Sequence, residues 1–217
     1  MALLDRISLI VFDLDGTLVD SRFDLADAVN YAMQQLGQPA LSYDEVPPLL
    51  GSGLSYLLKE AAGTGDTEVL ETAKTHFDDY YAQHFVTKTR PYPGVMETLR
   101  ALKPKKTAIY SNKLQHFTSR IAEALEIAPL MDMVQGANPD AYPLKPHPAG
   151  LHRILEQLRV PADRALMVGD STHDIEAAKA AGMHTCAVTY GYRSRRALEP
   201  VAPDYFIDRF PELRALE

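Results

Sequence analysis

Short apolar runs alternate with longer stretches of helical period along most of this chain. The run Ser8-Leu9-Ile10-Val11-Phe12 is continuous, β-branched and followed at once by Asp and Gly, the pattern of a buried parallel strand that ends in a loop. Comparable runs at Thr107–Tyr110, Ala165–Val168 and Thr185–Val188, and a weaker one at Tyr205–Ile207, predict further strands. Between them, Phe117, Ile121 and Leu125, and then Leu151, Ile154, Leu155 and Leu158, recur at helical spacing. Strands alternating with helices of this length predict βαβ units, hence an α/β fold with a mostly parallel sheet covered on both faces.

Residues 21–88 break the alternation. Leu25, Val29, Ala32, Met33 and Leu36 share one helical face, and Val69, Ala73, Phe77, Tyr80 and Tyr81 share another. Ser42-Tyr43-Asp44-Glu45 fits a capping box, and Asp66 is placed to cap the second of these helices. The segment is therefore expected to be an all-helical insertion, residues 21–88, between two parts of one core formed by residues 1–20 and 89–217. Arg90-Pro91-Tyr92-Pro93-Gly94 is its expected return linker.

Composition narrows the function classes. The 217 residues are 46% hydrophobic and 24% charged, values of an ordinary globular chain, and the formal net charge is −7. That balance disfavours a nucleic-acid binder, which needs a basic face, but leaves room for a small phosphorylated substrate. No apolar run reaches the roughly 18 residues of a membrane span. Met1–Ile10 carries Asp5 and Arg6 and lacks the layout of a signal peptide. Cys186 is alone and cannot form an internal disulfide. A cytoplasmic protein, acting as a monomer or homodimer, is the expectation. Arg193, Arg195 and Arg196 are expected to be solvated.

The chemistry sits at strand ends, where open α/β sheets bind ligands. Asp13-Leu14-Asp15-Gly16-Thr17 follows the first strand. Two carboxylates at this spacing can divide labour, one as nucleophile and the other as general acid and base. Ser111-Asn112-Lys113 follows the next core strand and offers a hydroxyl and amides for phosphate oxygens. Lys145, next to Pro146, is a candidate point charge for a phosphate. Gly169-Asp170-Ser171-Thr172-His173-Asp174 again joins a strand to a helix; Asp170 and Asp174 are oxygen ligands of the kind Mg²⁺ takes, and Thr172 is a candidate helix cap. His147 and His173 read as solvent-facing, and Cys186 as core. A phosphate dianion near so many carboxylates meets about 4 kcal/mol of repulsion per close pair at an effective dielectric of 20, so cations are required.

With these four segments in order, the chain resembles the haloacid dehalogenase superfamily of phosphotransferases, and the wording of its first motif resembles the phosphoglycolate phosphatase branch. The resemblance implies a Rossmann-like core with a helical cap inserted after the first strand. It implies that Asp13 attacks phosphorus and that Asp15 protonates the leaving oxygen and then activates water. Mg²⁺ would be held by Asp13, Asp170 and the main-chain carbonyl of Asp15, with Asp174 assisting, while Ser111, Asn112 and Lys145 bind the phosphoryl group. Gly51-Ser52-Gly53 resembles that branch's substrate-facing cap loop. The expected substrate is a small phosphate monoester such as 2-phosphoglycolate. A nucleotide, a sugar phosphate or pyrophosphate, or a phosphomutase reaction, are the alternatives.

Overall fold

The computed structural model describes residues 3–216, so Met1 and Ala2 of the N-terminal stretch lie outside the described residues. A single turn α1 (Leu3–Arg6) leads into β1 (Leu9–Phe12) and the two-residue β2 (Val19–Asp20). Helices α2 (Arg22–Gln35), α3 (Leu54–Ala62) and α4 (Thr67–His84) follow, then the two-residue β3 (Arg90–Pro91) and α5 (Val95–Ala101). The remainder alternates: β4 (Lys106–Leu114), α6 (Gln115–Ala124), β5 (Met133–Ala137), α7 (Ala149–Leu158), β6 (Ala165–Gly169), α8 (Thr172–Ala180), β7 (His184–Val188), α9 (Arg195–Leu198) and β8 (Tyr205–Ile207).

Six strands form one sheet in the order β5-β4-β1-β6-β7-β8, every neighbouring pair parallel. β1 lies between β4 and β6, so the chain winds one way from β1 and then crosses to its other side. In open α/β sheets the ligand crevice lies at such a switch point, at the carboxyl ends of the strands. The unbroken apolar runs have a simple cause. Along β1, Ile10 and Phe12 pack on one face with α5 and α6, while Leu9 and Val11 pack on the other with α7 and α8. Both faces are covered, so neither set of alternate positions is polar.

Three expectations are corrected. The strand expected at Thr107–Tyr110 extends to Leu114, with a register irregularity against β5 between Tyr110 and Leu114. Ser111, Asn112 and Lys113 thus stand in that irregular strand end, the kind of bulge that re-aims side chains beside a site. β5 was not foreseen, because Gln135 and Gly136 interrupt its apolar run. The capping box at Ser42–Glu45 closes a turn instead of a helix. The Ser42 N–H does donate to the Glu45 carboxylate at 2.7 Å, but Pro47 and Pro48 restrict the chain to one 3₁₀ turn, Pro47–Leu49.

Asp66 caps α4, accepting from the Glu68 and Val69 N–H groups. Leu25, Val29, Ala32 and Met33 of α2 are buried, as are Ala73, Phe77 and Tyr81 of α4. The chain leaves the sheet and returns through β2 and β3, which pair antiparallel with Val19 opposite Pro91 and Asp20 opposite Arg90. Asp24 reinforces the crossing by accepting from the Lys88 and Thr89 N–H groups and the Thr89 hydroxyl.

Candidate active site

β1 delivers Asp13 to the carboxyl end of the sheet, where its N–H donates to the Val168 carbonyl of β6 at 2.9 Å. The chain then turns sharply at Gly16, which has φ 83°. β6 delivers Asp170. Its carboxylate accepts from the Tyr192 N–H at 2.7 Å and packs so closely on Gly16 and Gly191 that a Cβ at either would lie 2.2–2.4 Å from Asp170 atoms. Ser171, and not Thr172, is the N-cap of α8, because Asp174 reaches back to accept from both the Ser171 N–H (3.0 Å) and its hydroxyl (2.7 Å).

Carboxylate oxygens of Asp13, Asp170 and Asp174 all lie within 4.8 Å of one another, and all three residues are buried. Lys145 sits among them, its Nζ 3.0 Å from Asp13 Oδ1 and 2.6 Å from Asp174 Oδ1, and its third donor goes to the Tyr110 carbonyl at 2.9 Å. Burial, followed by repulsion from Asp174 and Asp15, raises Asp13 to about 7 against the pull of Lys145. Burial and the neighbouring Asp13 and Asp174 also push Asp170 well up. Burial works against the Lys145 charge, but Asp13 and Asp174 outweigh it and hold the ammonium above its ordinary value. Were all three carboxylates ionised, the single ammonium would leave two negative charges uncompensated in a buried site. The donors are all oxygen, so the deficit and the chemistry both fit a hard divalent cation such as Mg²⁺.

Asp15 faces a different set of partners. Its Oδ1 accepts from the Ser21 hydroxyl at 2.5 Å, and its Oδ2 lies 3.2 Å from Lys113 Nζ. The Ser21 hydroxyl also meets the Tyr192 hydroxyl at 3.1 Å, and Lys113 donates to the Tyr81 hydroxyl of α4 at 3.1 Å. A chain of contacts therefore runs from helix α4 through Lys113, Asp15, Ser21 and Tyr192 to Asp170. No local pattern in the sequence points to Lys113, Ser21 or Tyr192, and Tyr81 lies on the apolar face of α4. Position 113 beside Ser111 was the single available hint.

Ser111 is buried at the same end of the sheet, its hydroxyl accepting from the Lys113 N–H at 3.2 Å. Asn112 is a tie: its amide donates to the Gly51 carbonyl (2.8 Å) and the Lys145 carbonyl (3.0 Å), and its Oδ1 accepts from the Lys145 N–H (2.9 Å). Both donors of its side-chain amide are thereby committed to the protein. Gly51 and Gly53 border the cleft and Ser52 does not. Arg193, expected in solvent, instead donates to the carbonyls of Pro47, Pro48 and Leu50, tying the loop after β7 to the helical segment. Arg195 and Arg196 are exposed. Arg90 anchors the return linker through the carbonyls of Val86, Thr87 and Thr89. Cys186 is buried, and burial pushes its thiol up to about 12, consistent with packing and not with nucleophilic chemistry.

Several of these groups meet at a cleft between the sheet and the helical segment. Asp13, Asp15, Ser111, Asn112 and Lys113 form its polar floor, and Leu25, Leu50, Leu54, Leu57, Phe77 and Tyr81 its opposite wall.

Comparison with known proteins agrees with this architecture. The family model described as haloacid dehalogenase-like hydrolase matches residues 10–188. A phosphoglycolate phosphatase of Vibrio parahaemolyticus is 39% identical over 217 residues, covering 95% of this chain and 94% of that protein. One from Aliivibrio fischeri is 35% identical over 221 residues, covering 98% and 97%. A solved structure of a predicted phosphoglycolate phosphatase from Haemophilus somnus 129pt superposes with a TM-score of 0.90 at 32% identity, covering 97% of each chain.

Proposed function

Because the chain belongs to the haloacid dehalogenase-like hydrolase family, we propose that it is a Mg²⁺-dependent phosphatase that hydrolyses a small phosphate monoester, in the first place 2-phosphoglycolate, through an aspartyl-phosphate on Asp13. The observation that carries this reading is the pairing of a buried, cation-deficient cluster (Asp13, Asp170, Asp174, Lys145) with a second carboxylate, Asp15, held apart from it by Ser21 and Lys113. Full-length similarity to phosphoglycolate phosphatases supports the choice of substrate.

In the proposed reaction an Asp13 carboxylate oxygen forms a bond to phosphorus as the ester P–O bond breaks. Asp15 gives its proton to the departing alcohol oxygen. Asp15 then takes a proton from water as that water attacks phosphorus, releasing inorganic phosphate and the free Asp13 carboxylate. Lys145 and Ser111 hold phosphoryl oxygens, and Asn112 keeps Lys145 in register through its main chain. Asp13, Asp170, Asp174 and the Asp15 carbonyl would hold Mg²⁺, which when bound would supply the positive charge that a phosphate dianion needs beside these carboxylates. In this reading residues 21–88 act as a cap that excludes water from the cleft, with residues 1–20 and 89–217 as the catalytic core. No helix among the described residues is long and apolar enough to cross a membrane, and a cytoplasmic monomer or homodimer accompanies the proposal.

The test is release of inorganic phosphate from 2-phosphoglycolate, nucleotides, sugar phosphates and pyrophosphate, with Mg²⁺ and with EDTA. Mg²⁺-dependent release from 2-phosphoglycolate is expected. Release from another ester alone would move the substrate within the same chemistry, accumulation of an isomer would mark a phosphomutase, and silence across the panel would refute the proposal.

A further inference from the structure

The two buried lysines at the site differ in how their protons are used. An ammonium has three donors. Lys145 places all three, on Asp13, Asp174 and the Tyr110 carbonyl. Lys113 places two, on Asp15 and the Tyr81 hydroxyl, and among the described residues no acceptor takes the third. Its side chain is 8% exposed and borders the cleft, where it is the one cationic residue among the described lining residues. A charged donor left open on a largely buried lysine at the edge of a cleft is a site for an anion.

The position of that donor fixes where the anion sits in the substrate. If Asp15 protonates the leaving oxygen, that oxygen lies within hydrogen-bond reach of Asp15, about 2.6–3.2 Å. Lys113 Nζ is itself 3.2 Å from Asp15 Oδ2. A negative group meeting Lys113 therefore stands close to the leaving oxygen, within a carbon or so of it. The same cleft is lined by Leu54, Leu57 and Phe77, which offer nothing to the hydroxyls of a sugar.

We propose that Lys113 is a specificity-determining residue that selects phosphate esters carrying a carboxylate on the carbon bonded to the leaving oxygen, that is, the phosphorylated forms of small 2-hydroxy acids. This deepens the phosphatase reading above and rests on it. Lys113 reads the anion with its third donor, while its contacts with Asp15 and Tyr81 hold the ammonium in place. Sugar phosphates and nucleotides lack a carboxylate at that position and are disfavoured by the apolar wall.

The experiment compares 2-phosphoglycolate with ethyl phosphate, which has the same two carbons and no carboxylate, in the wild-type protein with Mg²⁺, in Lys113→Met and in Lys113→Arg. Wild type is expected to prefer the carboxylate ester. Lys113→Met should reduce that preference, as the ratio of kcat/KM values, by about 10- to 100-fold, mostly through KM for 2-phosphoglycolate. Any damage to Asp15 chemistry lowers kcat for both esters and cancels in the ratio. Lys113→Arg should restore most of the preference. An equal loss for both esters in Lys113→Met would overturn the proposal and leave Lys113 as a support for Asp15. Should that variant not fold, inhibition of wild-type ethyl phosphate turnover decides instead. Glycolate should compete far better than ethylene glycol, and equal competition overturns the proposal. Wild type that turns over both esters without preference refutes the inference alone; wild type silent on every ester refutes the phosphatase reading and the inference together.

Discussion

At and just behind the floor of the cleft, Lys113 pairs with Asp15, and Lys145 with Asp13 and Asp174, at 2.6–3.2 Å, while Asp170 stands beside Asp13 and Asp174. On the wall above, Leu25, Leu50, Leu54, Leu57 and Phe77 offer only hydrocarbon, and Tyr81 gives the one hydroxyl. Floor and wall are thus held by different forces. Directional contacts in a dry environment fix the floor within narrow limits, and loss of one member leaves another charge buried without a partner. Non-directional apolar packing fixes the wall, which can exchange side chains of similar volume at small cost. In the proposed reaction the floor would determine which bond is broken, and the wall what size of alcohol can leave.

If this division holds, the floor should show the largest effects on rate. Asp13→Asn keeps the shape of the side chain and removes the nucleophile, so turnover should fall by about 10⁴-fold or more. The same variant relieves carboxylate repulsion, and its melting temperature without metal should not fall below that of wild type. Retained turnover would break the comparison at its centre. Asp15→Asn should slow turnover by about 10²–10⁴-fold. The loss should be greater for alkyl than for aryl phosphates, because a phenolate leaves without a proton; equal losses would remove Asp15 from the role of acid.

Stability with pH sharpens the contrast next. Asp13 is raised to about 7, above the ordinary 3.8. Between about pH 4 and 7 the folded, metal-free protein thus holds a proton that the unfolded chain has released. The metal-free protein should melt highest on the acid side of this window and lose stability as pH rises through 7. Added Mg²⁺ should flatten the dependence and raise the melting temperature at pH 8, as any ligand of the folded state does. A thermal profile indifferent to both pH and Mg²⁺ would contradict the charge deficit described for the floor.

The wall should give the smallest effect on rate. Leu57 is 3% exposed and packs in the main apolar cluster, so Leu57→Ala should cost about 2–5 kcal/mol of stability. The kcat for 2-phosphoglycolate should change by less than the Asp15→Asn effect. A comparable loss of kcat would mean that wall and floor are not separable.

The sequence exposed the floor more fully than the contacts that support it. β1 and β6 were legible because strands buried on both faces leave unbroken apolar runs, and of the residues after them Asp13, Asp170 and Asp174 lie within 4.8 Å of one another while Asp15 turns to Ser21 and Lys113. Lys145 was legible through its neighbouring prolines. What stayed hidden depends on pairs distant in the chain. Lys113 against Tyr81 and Asp15, Ser21 against Tyr192, and Arg193 against a carbonyl 146 positions away leave no local period or motif. β5 stayed hidden for the opposite reason: a local Gln-Gly pair masks a strand that only pairing with β4 holds in place.

The packing of Asp170 between Gly16 and Gly191 sets a limit on how this protein can drift in sequence. Substitution at either position pushes a methyl or more into a carboxylate that has no room to retreat, so the first step away from glycine is already the worst one. Gly65, whose missing side chain would meet nothing within 4 Å, lies at the other extreme. A saturation library scored for phosphate release should therefore keep positions 16 and 191 nearly monomorphic while position 65 fills with variants.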